Sequence, residues 1–247
     1  MKIAVITDSH GNAPALHAAL AEIDQAHVSR IYCLGDMIAI GPDSSEVLDT
    51  LFNRKDLSMI TGNHDEGVLA LIKGRPYPKS HEDTRNHHQW IADRLDPTFV
   101  ARLDSLPRVI DTTLMGHSIL FTHYHIEQEK LSATFYEDPF SPIVQPTLEN
   151  MERLFFDDRQ ELICFGHHHP VHYFEGNKTI YLNPGSLGCA AEPYARYAIV
   201  TLTREKIEVD LRKAVYDNTQ FLASYEKLNV PDRQFILKVF HGNQLKE

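Results

Sequence analysis

Five short apolar runs in this 247-residue chain each give way, within two or three residues, to a side chain that can hold a metal ion. Ile3 to Ile6 runs into Asp8 and His10, Ile31 to Leu34 into Asp36, and Leu57 to Ile60 into Asn63 and His64. Ser118 to Phe121 leads to His123, and Leu162 to Phe165 leads to His167 and His169. Apolar runs of this length read as buried strands. In open α/β sheets, ligands bind just beyond the carboxyl ends of the strands. The pattern predicts an α/β fold with two Asp, one Asn and several His gathered at one sheet edge, a set suited to a binuclear metal site.

The rest of the chain fits around that edge. In the first 65 residues the order is strand, helix, strand, helix, strand, as in a parallel sheet. Asn12 is an N-cap candidate with Pro14 in the first turn, and Leu16, Ala19, Leu20 and Ile23 recur at helical spacing. Gly41-Pro42-Asp43-Ser44 supplies turn and cap chemistry before a second helix carrying Val47, Leu48 and Leu51. Residues 66–105 read as helical, broken at Gly74-Arg75-Pro76 and Asp96-Pro97. Three hairpins follow, turning at Met115-Gly116-His117, Gly176-Asn177 and Thr203-Arg204. Segment 126–146, with Pro139, Pro142 and several acids, reads as a flap over the site. A helical tail is expected over 217–240, its Phe235, Ile236, Val239 and Phe240 packing on the body or on a second subunit. The whole of 1–247 reads as one domain.

Chemistry narrows the reading. Extended backbone turns residues i and i+2 to one face, so Asp8 and His10 could share a cation, as could His167 and His169. Asp36 has two oxygens to share between cations, Asn63 offers a neutral amide oxygen, and His123 a ring nitrogen. This N/O set suits Mn, Fe, Co, Ni or Zn. Two such cations ~3.5–4 Å apart clamp both ends of an in-line phosphoryl displacement and turn a bridging water into a hydroxide nucleophile. His64, beside a ligand, is placed to protonate the leaving oxygen, a role typically worth ~10²–10⁴ in rate. His87-His88 lies in a predicted helix, where neighbours do not share a face, so no second metal site is expected there.

A net charge of −10 works against non-specific nucleic-acid binding, and Lys and Arg are scattered. An anionic small substrate stays open, because bound cations reverse the local field. Three cysteines, two of them inside apolar runs, fit a reducing compartment. The apolar start is too short for a signal peptide, and no stretch approaches the ~20 apolar residues of a membrane span. A cytoplasmic setting is expected.

In order, spacing and flanking glycines, Asp8-Ser9-His10, Gly35-Asp36, Gly62-Asn63-His64-Asp65, His123 and Gly166-His167-His168-His169 resemble the motif set of the calcineurin-like metallophosphoesterase superfamily. Asn183-Pro184-Gly185-Ser186 is similar to a stretch in its small bacterial and archaeal members. The resemblance implies a four-layer α-β-β-α sandwich, two mostly mixed sheets flanked by helices. It implies Asp8, His10, Asp36 and His169 around one cation, Asp36, Asn63, His123 and His167 around the other, and His64 as the acid. The implied activity is hydrolysis of a phosphodiester, phosphomonoester or nucleotide phosphoanhydride by a metal-bridging hydroxide. The implied substrate is small and nucleotide-like. Since a retromer subunit shares this fold as a scaffold, a catalytically silent metal-binding scaffold is the alternative, and a nuclease the third. The complete ligand set with His64 favours an enzyme.

The chain also departs from the pattern. Serine/threonine phosphatases of the superfamily carry G-D-x-V-D-R-G, whose second Asp orients the catalytic His and whose Arg grips phosphate. Here Ala39 and Ile40 stand in those places, which disfavours that type of enzyme. Tyr124 follows His123 where many members have Gly. The phosphate grip is therefore sought among His125, Arg75 and Arg85, with His168 as a further substrate contact.

Overall fold

The computed structural model is described over residues 1–244. Two five-stranded mixed sheets form its centre. The first has the order β10-β9-β1-β2-β3, with β1 (Lys2–Ile6), β2 (Arg30–Cys33) and β3 (Leu57–Met59) parallel. Strands β9 (Tyr194–Leu202) and β10 (Ile207–Val215) run antiparallel at one edge. The second sheet has the order β4-β5-β6-β8-β7. In it β5 (His117–Thr122), β6 (Leu162–Cys164) and β8 (Ile180–Asn183) are parallel, while β4 (Val109–Leu114) and β7 (His172–Glu175) close it as antiparallel edges.

Period-two alternation puts each strand into two cores. Ile3 and Val5 of β1 face the other sheet, where they meet Ile119, Phe121, Leu162, Cys164 and Leu182 in an inter-sheet core. Ala4 and Ile6 turn to the opposite side and pack beneath α1 (Ala13–Gln25) and α2 (Ser44–Phe52). The second sheet repeats the device, with Leu120, Ile163 and Phe165 packing outward on Met151 and Phe155, which lie in and just past the helix Leu148–Leu154. The layers are therefore helix, sheet, sheet, helix, as the resemblance implies.

Asn12 does cap α1, its side chain accepting from Ala15 N at 3.1 Å. Residues 66–105 break into α3 (Asn63–Ile72), α4 (Arg85–Ala92) and α5 (Val100–Asp104), joined by short 3₁₀ turns. Segment 126–146 holds two 3₁₀ turns and is pinned at its base by a bridge between Ile126 and Phe140. Helix α6 (Leu148–Leu154), capped by Thr147, was not foreseen in the sequence, because its seven residues offer barely two turns of periodicity. The tail forms α7 (Thr219–Lys227) and α8 (Arg233–Val239). Phe221, Leu222, Tyr225 and Ile236 pack there against Ile40 and Cys189, so the tail lies on the body of its own chain. Among the described residues, no helix is long and apolar enough to cross a membrane.

Candidate metal centre

All five loops with ligand-type side chains leave the carboxyl ends of parallel strands, β1, β2 and β3 from one sheet and β5 and β6 from the other. Asp36, His123 and His167 bring ligand atoms within 4.8 Å of one another, as do His10, Asp36 and His64. Asp36 belongs to both groups, the position a shared carboxylate needs. His10 Nε2 lies 3.0 Å from His169 Nε2, 3.7 Å from Asp8 Oδ1 and 3.9 Å from Asp36 Oδ2. His123 Nε2 is 3.2 Å from Asp36 Oδ2 and 3.0 Å from Asn63 Oδ1, and His167 Nδ1 is 2.8 Å from the same amide oxygen. The seven expected ligands thus form one cluster.

The way they converge differs from the expectation. Asp8, His10, Asp36 and His167 all have positive φ, between 44° and 64°, so the i, i+2 pairs meet through left-handed turns and not through extended backbone. Strained backbone of this kind costs of order 1–3 kcal/mol per residue and clusters at functional sites. Gly62 and Gly166 make the convergence sterically possible. A Cβ on Gly62 would lie 2.2 Å from Asp36 Oδ1, and one on Gly166 2.0 Å from Thr7 Oγ1.

The electrostatics suit a cation. Asp8 and Asp36 are completely buried, and among the described residues neither is paired with a Lys or Arg. Two buried carboxylates without a cationic partner are expensive. Burial, with the Asp36 charge adding to it, pushes Asp8 up to about 7, against the lowering pull of His123. Burial acts on Asp36 in the same direction, yet His123, His64 and His10 around it hold it well below the usual carboxylate range. The amide of His64 in the first turn of α3 also donates to Asp36 Oδ1 at 2.8 Å, and helix N-termini favour anions. His123 donates from Nδ1 to the Leu34 carbonyl at 2.7 Å, which aims Nε2 at the Asp36 and Asn63 oxygens. That is the orientation metal-bound imidazoles are given by their outer partners. Against the lowering effect of burial the Asp36 charge holds the His123 ring up to about 9, so that a cation there would take the place of the Nε2 proton. The donor set therefore fits divalent cations.

Asp65 holds backbone, accepting from the amides of Met37, Ile38 and Gly62 at 3.0, 3.2 and 2.9 Å. Cys189, unexpectedly, brings its sulfur within 4.8 Å of His10 and His169 ligand atoms, and burial pushes its thiol up.

The four expected substrate contacts go elsewhere. Arg75 pairs with Asp104 at 2.8 Å, and exposed Arg85 lies 3.4 Å from Glu82. His125 bonds Ser141 at 2.8 Å and lines a separate cavity beside Asp158, while the His168 ring packs on His172 at 5.0 Å. The H-x-H spacing of His123 and His125 misleads because β5 ends at Thr122 and the chain bends just beyond it, so i and i+2 no longer share a face and the second ring lies against Phe155 at 5.5 Å.

What opens onto the centre is a cavity of about 330 Å³ reached at Asn63 and His167. Phe135, Phe140, Ile143 and His81 wall it, and no lysine or arginine is among its lining residues. The Phe140 ring stacks over His167 at 6.3 Å and stands edge-on to His123 at 5.6 Å. His81 and Phe140 carry no local motif that could have marked them. A larger cavity, of about 690 Å³, lies on the other side of α3 and touches none of the seven ligands. Its Arg108 is already bound to Glu66 at 2.6 Å.

Residues 1–205 match the calcineurin-like phosphoesterase superfamily domain, and the chain belongs to that family. An uncharacterised protein of Methanocaldococcus jannaschii is 25% identical over 238 residues, 92% of this chain and 91% of that one. A hypothetical protein of Pyrococcus horikoshii superposes with a TM-score of 0.79 at 19% identity, over 98% of each chain. A metallophosphoesterase from Sphaerobacter thermophilus follows at 0.69 and 21%, over 96% of this chain and 97% of that one. These likenesses extend through the tail, beyond the part matched by the family domain.

Proposed function

We propose that this protein is a metal-dependent phosphoesterase acting on a small ester with one phosphate and a flat, uncharged organic group, such as a nucleotide-sized phosphodiester. The observation that carries this reading is the seven-ligand cluster opening into an aromatic cavity without cationic walls. At about 330 Å³ the cavity is at the lower end of small-molecule sites. Its one charged carboxylate, Asp138, opposes a second phosphate there and disfavours a polyphosphate chain lying along it.

Asp8, His10, Asp36 and His169 would hold one cation, and Asp36, Asn63, His123 and His167 the other. When bound, such a pair supplies Lewis acidity to the phosphate oxygens and makes water acidic enough to attack. His64 stands at the edge of this cluster, its ring 5.0 Å from that of His10, and gives a proton to the leaving oxygen. Phe140 covers His123 and His167 and keeps bulk water from that side. A scaffold role would leave His64 without a use.

The test is hydrolysis of bis-p-nitrophenyl phosphate and p-nitrophenyl phosphate by metal-stripped protein, with and without Mn²⁺. Turnover is expected to need the metal, to favour the diester, and to fall by ~10²–10⁴ in His64→Ala with an ester of a poor leaving group. Metal binding without turnover of any ester would replace this reading with the scaffold.

A further inference from the structure

A histidine that acts as a general acid needs its other nitrogen held, or its ring and tautomer drift. Ala39 stands where a carboxylate would do this in the serine/threonine phosphatases. In this chain a different group reaches His64. His88 Nε2, from α4, lies 2.7 Å from His64 Nδ1, and His88 Nδ1 lies 2.7 Å from the Tyr77 hydroxyl. The Tyr77 hydroxyl is in turn 3.2 Å from Thr84 Oγ1, and Thr84 donates to the His81 carbonyl at 2.8 Å.

Counting protons gives this chain a direction. Thr84 has one hydroxyl proton, and a carbonyl can only accept, so that proton is committed to His81. Tyr77 must then donate to Thr84 and accept from His88 Nδ1–H. His88, as a neutral ring, keeps Nε2 as an acceptor, so His64 donates from Nδ1–H. Burial supports the neutral ring, since it holds His88 down to about 3. The supports are rigid, with His88 fully buried and Tyr77 8% exposed. Gly67 on α3 makes room for the imidazole, because a Cβ there would meet His88 Nδ1 at 2.7 Å.

We infer that His88 and Tyr77 are positioning residues for His64: by accepting its Nδ1–H they turn its Nε2 to the leaving oxygen of the substrate, so that the ring, once protonated on both nitrogens, gives up the Nε2 proton and is left as the Nδ1–H tautomer. The inference rests on the phosphoesterase reading for its catalytic consequence, though the hydrogen-bond chain stands without it. It replaces the missing carboxylate with a neutral His–Tyr pair, His88 from α4 and Tyr77 from the irregular segment between α3 and α4.

Two readouts separate this role from mere packing. In the full-length chain loaded with Zn²⁺, long-range ¹⁵N–¹H correlation spectra should show His64 as a single Nδ1–H tautomer. Tyr77→Phe leaves His88 free to move its proton to Nε2, facing His64, and should shift His64 towards Nε2–H. His88→Phe should leave a mixture of tautomers. With Mn²⁺, His88→Phe should lower kcat for an alkyl phosphodiester by about tenfold or more while changing the p-nitrophenyl ester by less than about threefold. A p-nitrophenolate leaving group needs little protonation, so a structural defect would depress both alike. In a His64→Ala background, His88→Phe should add no further loss. The inference is overturned by an unchanged His64 tautomer in both variants, by equal losses on the two esters, or by additive losses. If His88→Phe fails to fold, Tyr77→Phe and Gly67→Ala carry the same tests. If the wild type cleaves neither ester, the phosphoesterase reading falls, and the tautomer spectra still decide the hydrogen-bond chain.

Discussion

Asp36 is the carboxylate on which both halves of the cluster converge. It faces His123 and His10, and it accepts the α3 amide of His64. Replacing it by Asn keeps the shape and one acceptor but removes the shared negative charge. Asp36→Asn is expected to lower the metal retained per chain after dialysis and to reduce turnover by more than about 100-fold, since even outer partners of a metal site cost 10–100-fold in affinity. Full metal retention would show that the two halves of the cluster do not depend on a common carboxylate. Thr7 and Gly166 are the quieter partners, the one donating to Asp8 at 2.7 Å and the other giving it room.

At the scale of elements, the segments between the sheets decide what enters. Phe140 lies in the flap, held at its base by the Ile126 bridge and by the Ser141 amide donating to the His125 carbonyl at 2.9 Å. Phe140→Ala should raise KM for an aromatic diester by about fivefold or more while leaving metal content unchanged, because base- or ring-stacking on an aromatic is worth ~1–3 kcal/mol. An unchanged KM would place the organic group outside the cavity. This is also the scale at which the sequence became hard to read. The candidate ligands are legible in the sequence because each sits a few residues past its own strand, a local signal. His88 reaches His64 across 24 residues from a short helix, and adjacency to His87 concealed which of the two rings turns inward. The flap has no periodicity, so its place over the site follows only from the bridge and the aromatic contacts.

The molecule as a whole carries an unusual load of buried neutral imidazole. Burial holds His87, His172 and His241 down to about 4 and His88 down to about 3, against ~6.5 in an unfolded chain. Between those values the unfolded chain binds more protons, so stability falls as pH drops through ~6.5 and the loss is complete only near the folded values. Urea midpoints should therefore decline well before the usual carboxylate range, by a slope of up to ~1.4 kcal/mol per pH unit for each such histidine. His241→Phe should flatten the decline. A midpoint constant from about pH 7.5 down to about pH 5 would mean these rings are protonated in the folded state.

The placement of the ligands on both sheets has one more consequence. His10 and His169 face each other across 159 residues of sequence, with one anchored after β1 and the other after β6. A cation between them would act as a removable crosslink closing a very long loop, the kind of tie that restricts an unfolded chain most. The three cysteines are buried and unpaired and provide no such tie. Loading and stripping of the ions would then set how freely the two halves of the sandwich part, tying the lifetime of the fold to the availability of metal.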